Sequence, residues 1–275
     1  MEGGGGSVDR TRVALDKARK KRLGGRPIFS VSPLPTVAAN PVPIKYQQTK
    51  IMPLSPRHLR KHCVVAGLDD EPVADIYRIL RTHVLKRLSA EGLSTLAICS
   101  ARKGAGKTVT AANLAISLAM DVNQTVLLVD ADLRDPSVAS TLGIKPEFGL
   151  DDYLQDTADL PQCLINPGTE RLVILPARLP MEKSSEMLAS PKMTRLAHEL
   201  KNRYPDRMVL YDLPPMLDTD DCLAFMSNVE ALLFVVAEGE TPTHDIERAL
   251  ALAGDSYVVG TILNKSAQKS FNAYL

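Results

Sequence analysis

The segment that most constrains the fold is a glycine-containing loop between a short apolar run and an Ala- and Leu-rich stretch. The apolar run covers residues 95–99, and residues 101–108 read Ala-Arg-Lys-Gly-Ala-Gly-Lys-Thr. Gly104 and Gly106 allow a tight turn that approaches phosphate oxygens where a Cβ would clash. The helix predicted over residues 107–120 directs free N–H groups and its positive dipole end at the same place. Strand, loop and helix together predict a phosphate-binding P-loop.

The P-loop predicts which residues hold a nucleotide. Lys107 is placed to reach the β- and γ-phosphates, and the Thr108 hydroxyl is placed to bind Mg²⁺. We therefore expect ATP and Mg²⁺ as ligands. The predicted nucleotide-binding residues of this segment are Arg102, Lys103, Gly104, Ala105, Gly106, Lys107, Thr108 and Val109.

Acidic residues follow two further predicted strands. Asp130 ends the apolar run 124–129, and Asp212 ends the run 208–211. Ligands of an open parallel α/β sheet bind outside the carboxyl ends of its strands, so both carboxylates should meet the P-loop in one crevice. Because Mg²⁺ uses few protein ligands and keeps several waters, Thr108, Asp130 and Asp212 suffice as its predicted site.

A third aspartate, Asp132, lies two residues beyond Asp130 and on the same side of an extended backbone. One of the two carboxylates could accept a proton from an attacking hydroxyl while the other helps to place the metal. The predicted catalytic residues are Lys107, Asp130, Asp132 and Asp212. A strand-end aspartate alone would be read as a helix cap or turn former. Three of them behind a P-loop favour catalysis.

Three motifs in fixed order are shared with a known family. Residues 127–134 read Leu-Leu-Val-Asp-Ala-Asp-Leu-Arg, residues 212–215 read Asp-Leu-Pro-Pro, and residues 259–265 read Val-Gly-Thr-Ile-Leu-Asn-Lys. With the P-loop, they make residues 73–265 resemble the bacterial tyrosine kinases (BY-kinases) of capsule and exopolysaccharide export. These kinases are related to the septum-site and plasmid-partition ATPases. The basic residues 13–19 resemble the start of the exosortase-associated members.

The resemblance implies an activity and partners. It implies ATP-dependent autophosphorylation on tyrosine in a neighbouring copy, which regulates polysaccharide polymerisation and export. It implies activation by a membrane-anchored polysaccharide co-polymerase or chain-length regulator. In relatives the Asn of the last motif faces adenine, which makes Asn264 a candidate for base recognition.

The alternation of apolar strands with helices predicts an α/β P-loop NTPase whose mostly parallel sheet has helices on both faces. Predicted strands cover residues 94–99, 124–130, 171–175, 207–212, 230–237 and 256–263. Predicted helices cover residues 72–90, 107–120, 182–203 and 243–254.

The first of these helices carries a candidate oligomerisation motif. Its predicted apolar stripe consists of Val73, Ile76, Leu80, Val84 and Leu88. Asp75, Arg78 and Arg81 lie off that stripe, where the family carries a Glu-x-x-Arg-x-x-Arg motif that assembles rings. The resemblance therefore implies a homo-oligomeric ring, with the shorter Asp in place of Glu. The alternative is an ordinary solvated helix face.

The segment after residue 265 departs from the family, whose members typically end in a cluster of tyrosines. Residues 266–275 contain one tyrosine, Tyr274, which is the possible phosphoacceptor. Either Tyr274 is a lone acceptor, or the phosphate goes elsewhere, or the chain is an ATP-hydrolysing assembly switch. A partition-type positioning ATPase is a further alternative. Arg102 stands where those relatives carry a signature Lys, and it either reaches a neighbouring nucleotide or is a solvated basic residue.

The net charge of +1 conceals an asymmetry. Residues 1–62 contain thirteen Lys and Arg against three Asp and Glu, whereas the remainder contains twenty against twenty-nine. The Gly- and Pro-rich composition of residues 1–62 predicts a largely disordered tail. The predicted organisation is this tail, a P-loop domain over residues 63–265 and a short C-terminal tail over residues 266–275.

Composition also bounds the location. A basic tail suits an anionic membrane face or an acidic partner. Nucleic acid is unlikely as a partner, because no aromatic stacking platform accompanies the charge. No apolar run approaches the ~20 residues of a spanning helix, and no signal peptide is recognisable. The four cysteines lack metal-ligand spacing. We therefore expect a cytoplasmic protein, peripheral to the inner membrane.

Overall fold

The computed structural model describes residues 49–68, 71–204 and 206–266, so most of the predicted basic tail and Tyr274 lie outside the described residues. The strands in this part of the chain are β1 Lys50–Ile51, β2 Thr95–Ser100, β3 Thr125–Asp130, β4 Ile165–Asn166, β5 Leu172–Leu175, β6 Arg207–Asp212, β7 Ala231–Ala237 and β8 Tyr257–Asn264. The helices are α1 Pro56–Lys61, α2 Pro72–Glu91, α3 Lys107–Ala119, α4 Val138–Leu142, α5 Leu150–Leu154, α6 Leu160–Cys163, α7 Ser184–Leu188, α8 Pro191–Asn202, α9 Asp221–Phe225 and α10 Thr243–Leu252, with a 3₁₀ turn at Met226–Asn228.

All eight strands form one sheet in the order β1-β4-β5-β3-β6-β2-β7-β8. The six strands from β5 to β8 run parallel, whereas β4 is antiparallel to β5. β2 lies between β6 and β7, and β3 lies beyond β6. The carboxyl ends of β2, β6 and β3 therefore meet at one edge, where the P-loop begins. This mostly parallel sheet confirms the predicted fold class.

Helices cover both faces of the sheet, and this explains why the central strands are apolar on both sides. In β2, Ala97 and Cys99 pack into one core, while Leu96 and Ile98 pack into the other. The second core also contains most of α3, so the helix behind the P-loop is held rigidly against the sheet.

The predicted helix over residues 182–203 is wrong in one respect, because the structure contains two helices there, α7 and α8. Pro191 cannot donate a backbone hydrogen bond and therefore begins a helix rather than continuing one. Ser190 caps the new helix, since its side chain accepts from the Met193 N–H at 3.1 Å.

Residues 49–62 belong with the folded domain, which differs from the predicted boundary at residue 63. β1 extends the sheet by pairing with β4, and Leu59 of α1 is buried in the same core as α3. The average composition of residues 1–62 did not indicate that residues 49–62 fold. Their apolar side chains pack only against residues of the folded domain.

The buried face of α2 is rotated from the predicted stripe. Val84 and Leu88 are buried as expected, but Val73 and Ile76 are 46% and 41% exposed, and the small Ala74 is buried instead. This face packs against α3, where Arg81 and the backbone of Tyr77 both hydrogen-bond to Ser117. None of the described helices combines the length and apolar character that crossing a membrane would require.

Candidate active site

The P-loop joins the carboxyl end of β2 to α3, and its two glycines have left-handed backbone angles. Gly104 has φ of 87° and Gly106 has φ of 89°. A Cβ on Gly106 would lie 2.1 Å from Asn264 Nδ2, whereas no atom lies within 4 Å of a Cβ on Gly104. Both positions therefore need glycine for their conformation, and Gly106 also needs it for space.

Lys107 begins α3 and is almost completely buried. Its Nζ lies 3.4 Å from Asp132 Oδ2. Burial opposes the charge of Lys107, but Asp212, Asp132 and Asp130 together outweigh this cost and raise its pKa. The lysine is therefore charged at neutral pH and is held beside the predicted catalytic carboxylates.

Thr108 connects the P-loop to the end of β6. Its hydroxyl donates to Asp212 Oδ2 at 2.6 Å and lies 2.9 Å from the hydroxyl of Ser137. Ser137 was not predicted from the sequence, because it becomes a neighbour of Thr108 only through the order of the strands. Thr108 and Asp212 are thus brought together as expected for a metal-binding pair.

Asp130 caps a helix, and its role toward a metal or substrate stays a prediction. One of its oxygens, Oδ2, accepts from the backbone N–H groups of Ser137 and Val138 at 3.0 and 2.9 Å, so it caps the start of α4. Its other oxygen, Oδ1, is buried without a hydrogen-bond partner. Oδ1 of Asp212 is likewise buried and has no hydrogen-bond partner among the described residues.

The crevice buries three carboxyl groups, those of Asp130, Asp132 and Asp212, against one cation, Lys107. Burial and the charge of Asp212 raise the pKa of Asp130 well above its usual range. Burial also raises the pKa of Asp212 to about 6, although Lys107 and Thr108 oppose the rise. Buried polar atoms normally have partners, so two unpaired carboxylate oxygens in one crevice fit a hard cation that prefers oxygen ligands. Thr108, Asp130 and Asp212 therefore suit Mg²⁺.

The side chains of Arg102 and Lys103 are directed at carboxylates of the same chain. Arg102 is within 2.9 Å of both Asp218 and Asp245, and Lys103 pairs with Asp135. Neither basic residue is thus simply solvated, and reaching a neighbouring nucleotide would require Arg102 to leave two partners. Asp218 and Asp245 lie more than a hundred residues away in the chain, so no local pattern indicated them.

Asn264 lies at the carboxyl end of β8 and against the P-loop. Its side-chain amide donates to the backbone oxygen of Ala105 at 2.8 Å. The next predicted contact residue, Val109, is half-buried in the first turn of α3. This places Asn264 beside the loop, and contact with adenine stays a prediction.

Arg134, the last residue of the second motif, is fixed by an aspartate that the sequence did not indicate. Its guanidinium forms two hydrogen bonds of 3.1 Å with Asp221, which is fully buried. The Ser184 hydroxyl donates to the same carboxylate at 2.8 Å. Arg134 thus connects the loop after β3 to α7 and α9.

The three charged residues of the predicted ring motif on α2 differ in their contacts. Asp75 and Arg78 form an exposed ion pair of 2.5 Å within the helix. Arg81 instead donates to the backbone oxygen of Ser117 near the end of α3, at 2.8 Å. Its side chain therefore contributes to packing of the chain's own helices, and the role of the triplet in a ring stays a prediction.

This chain is similar to known proteins over most of its described length. The family model described as an AAA domain matches residues 93–240, from the start of β2 to beyond β7. The tyrosine-protein kinase YwqD of Bacillus subtilis (strain 168) is 30% identical over 72% of this chain and 83% of its own length. The succinoglycan biosynthesis transport protein ExoP of Rhizobium meliloti (strain 1021) is 32% identical over 77% of this chain. The match spans only 27% of ExoP.

Solved structures share the fold. The kinase domain of VpsO is 28% identical with a TM-score of 0.62, over 76% of this chain and 96% of that one. The septum site-determining protein MinD from Pyrococcus horikoshii OT3, solved with Mg-ADP, is 27% identical with a TM-score of 0.52, over 62% of this chain and 69% of that one. The relation that the sequence predicted, to tyrosine kinases and to septum-site ATPases, is confirmed.

Proposed function

Because the chain belongs to the bacterial tyrosine kinase family of P-loop ATPases, we propose that it is an ATP-dependent protein-tyrosine autokinase that regulates polysaccharide polymerisation and export. The observation that supports this most directly is the convergence of five groups in one crevice. Lys107, Thr108 and three aspartates come from three strand ends and carry two unpaired carboxylate oxygens. Phosphoryl transfer needs mainly positioning and charge stabilisation, which such a set supplies.

Nucleotide binding would rearrange one ion pair. Lys107 would leave Asp132 for the β- and γ-phosphates of ATP, because phosphate offers it a stronger charge-assisted hydrogen bond. The N–H groups of the P-loop would hold the remaining phosphate oxygens. Thr108, Asp130 and Asp212 would hold Mg²⁺, which when bound neutralises charge on the phosphate oxygens.

Release from Lys107 would leave Asp132 as the base. It is slightly exposed, whereas Asp130 and Asp212 are completely buried, so a phenol can reach Asp132 first. The phenolic proton moves to the Asp132 carboxylate as the phenolic oxygen bonds to the γ-phosphorus. The bond from that phosphorus to its bridging oxygen breaks, and ADP leaves with the electron pair.

The acceptor would come from another copy or from the C-terminal segment. Tyr204 and Tyr257 are the exposed tyrosines of the described residues. Tyr204 precedes β6 and Tyr257 is the first residue of β8, so both lie at the amino edge of the sheet, opposite the P-loop. Transfer within one described domain is thus disfavoured, and Tyr274 is our candidate acceptor.

The proposed setting follows from the family. YwqD is a tyrosine-protein kinase, and ExoP is a succinoglycan biosynthesis transport protein. A membrane-anchored co-polymerase would activate the kinase at the cytoplasmic face of the inner membrane. The basic residues before α1 would contact anionic lipid, and Asp75 and Arg78 would contribute to a ring.

A second candidate is an ATP-hydrolysing assembly switch of the same export system. Residues 266–275 contain one tyrosine, Tyr274, so a single substitution there separates the switch from the kinase. ATP turnover that persists in Tyr274→Phe without any phosphoprotein would support the switch.

Phosphosite mapping separates the two candidates. Wild type and Lys107→Met would be incubated with ATP, Mg²⁺ and the activating partner, then analysed by mass spectrometry. We expect phosphotyrosine in wild type, centred on Tyr274, and none in Lys107→Met. Absence of phosphotyrosine from every wild-type peptide would contradict the kinase proposal.

A further inference from the structure

A cleft of about 660 Å³ opens beside the candidate active site, between α1, α4 and the segments that follow β3 and β5. Pro136 lines the cleft and directly precedes Ser137, whose hydroxyl contacts Thr108. The cleft therefore opens at the same edge of the sheet as the P-loop, and its volume suits a small ligand or one large side chain with its neighbours.

Two stacked imidazole rings form a fixed wall of this cleft. The ring centroids of His58 and His62 are 4.0 Å apart, with an angle of 18° between the planes. Each ring donates to a backbone oxygen at 2.9 Å, His58 to Ser140 and His62 to His58. A Cβ on Gly143 would lie 2.6 Å from His58 Cδ2, so the ring rests on the bare glycine backbone. His62 and Gly143 therefore cover the two faces of His58, and the outer face of His62 is the ring face left to stack on an aromatic group.

The charges that line the cleft are all positive. They belong to Lys61, Lys145 and Arg178, and no Asp or Glu is among the lining residues. Neither lysine forms an ion pair with a residue that the structure describes, whereas most other lysines of that part do. Arg178 uses Nε and Nη2 for Asp152, which leaves Nη1 available. The cleft thus offers cations to an anion that is not part of the described domain.

We propose that this cleft binds a phosphotyrosine side chain from residues 266–275 of a second copy. The inference rests on the proposed function, which would generate that group. Phosphate recognition by clustered basic side chains is a recurring mode, and the ring wall suits the phenyl group. A chain's own segment would have to lie almost fully extended across its P-loop, because β8 and β5 are five strand positions, about 24 Å, apart and nine residues span at most about 30 Å. A second copy meets no such constraint and is the occupant that we assign.

The test uses the full-length protein and fluorescein-labelled peptides of residues 266–275, with Tyr274 phosphorylated or unmodified, measured by fluorescence anisotropy. Saturating ADP and Mg²⁺ occupy the P-loop. We expect the phosphopeptide to bind at least about tenfold more tightly than the unmodified peptide. Lys61→Glu/Lys145→Glu should weaken phosphopeptide binding at least about tenfold. As a control, Lys86 of α2 is exposed and forms no ion pair with a described residue, so Lys86→Glu should change phosphopeptide binding less than about twofold.

Several outcomes would overturn the proposal: equal affinity for both peptides, equal effects of the cleft and control variants, or phosphopeptide binding that is seen only when ADP and Mg²⁺ are left out. Binding of phosphatidylserine vesicles that depends on both lysines, without phosphopeptide binding, would assign the cleft to lipid instead. Lys61→Gln/Lys145→Gln, with thermal melting as a check of folding, serves if the Glu variant is unstable. A synthetic phosphopeptide keeps this result independent of whether the chain itself phosphorylates tyrosine.

Discussion

Asp130 and Asp212 are register partners at the carboxyl ends of neighbouring parallel strands, and each has one buried oxygen without a hydrogen-bond partner. The second oxygen of Asp212 accepts a hydrogen bond from Thr108. The second oxygen of Asp130 accepts hydrogen bonds from N–H groups at the start of α4. The two carboxyl groups are therefore oriented by hydrogen bonds while their free oxygens remain available. In the ligand-free protein this arrangement costs stability, because both carboxyl groups are buried away from water and Asp130 also lies beside the charge of Asp212.

Asp212→Asn should stabilise the ligand-free protein at pH 8 while abolishing ATP turnover. The pKa of Asp212 is raised from 3.8 to about 6 in the folded state. Protonation therefore favours folding below about pH 4, and this contribution is lost as the pH rises through 6. Asparagine keeps the acceptor for Thr108 but carries no charge. We expect a gain of about 1 to 3 kcal/mol at pH 8 and little change at pH 4.

Urea unfolding at the two pH values measures this difference. An equal effect of Asp212→Asn at pH 4 and pH 8 would contradict the assigned origin of the shift.

Lys107→Met should lower ATP turnover at least about 100-fold, because a buried cation that stabilises transferring phosphate has no replacement. Lys86→Met is the matched control, at an exposed position of α2. Because this side chain lies outside the candidate site, we expect less than about a threefold change. Steady-state phosphate release measures both variants, and similar losses in the two would refute the assignment of Lys107.

Gly106→Ala should impair nucleotide binding more than Gly104→Ala. Both positions have positive φ, so each substitution strains the loop by about 1 kcal/mol. The new methyl group at position 106 would also displace Asn264 from Ala105. Calorimetric titration with an ATP analogue compares the two variants, and equal affinities would show that Asn264 does not constrain the loop.

Asp221→Ala should destabilise the fold by about 1 to 3 kcal/mol, because it removes the acceptor of the buried Ser184 hydroxyl, whereas the half-exposed Arg134 can be hydrated. Asp220→Ala, the exposed preceding residue, should cost less than about 1 kcal/mol. Thermal unfolding of the two variants gives the comparison. A small effect of Asp221→Ala would mean that the Ser184 hydroxyl does not depend on this carboxylate.

Much of the fold and the centre of the site could be predicted from local pattern. The P-loop is contiguous, so the turn at Gly104 and Gly106 and the positions of Lys107 and Thr108 at the start of the next helix follow from neighbouring residues. The principal strands were predictable because burial on both faces makes them continuous apolar runs. Asp130 and Asp212 were predictable because each ends such a run.

Contacts between distant segments were not predictable in this way. Ser137 beside Thr108 and Asp245 beside Arg102 depend on strand order. The rotated face of α2 depends on its contacts with α3, and residues 49–62 have partners only in the assembled sheet.

The sequence by itself determined a P-loop, its strand-end carboxylates and the family to which they belong, since these are encoded in short runs of neighbouring residues. Only the tertiary structure decided which oxygens of Asp130 and Asp212 remain free, and that His58, Lys61 and Lys145 line one cleft. The physical reason is that hydrogen-bond satisfaction and charge balance depend on every group that packs around an atom. Those groups come from elements far apart in the chain.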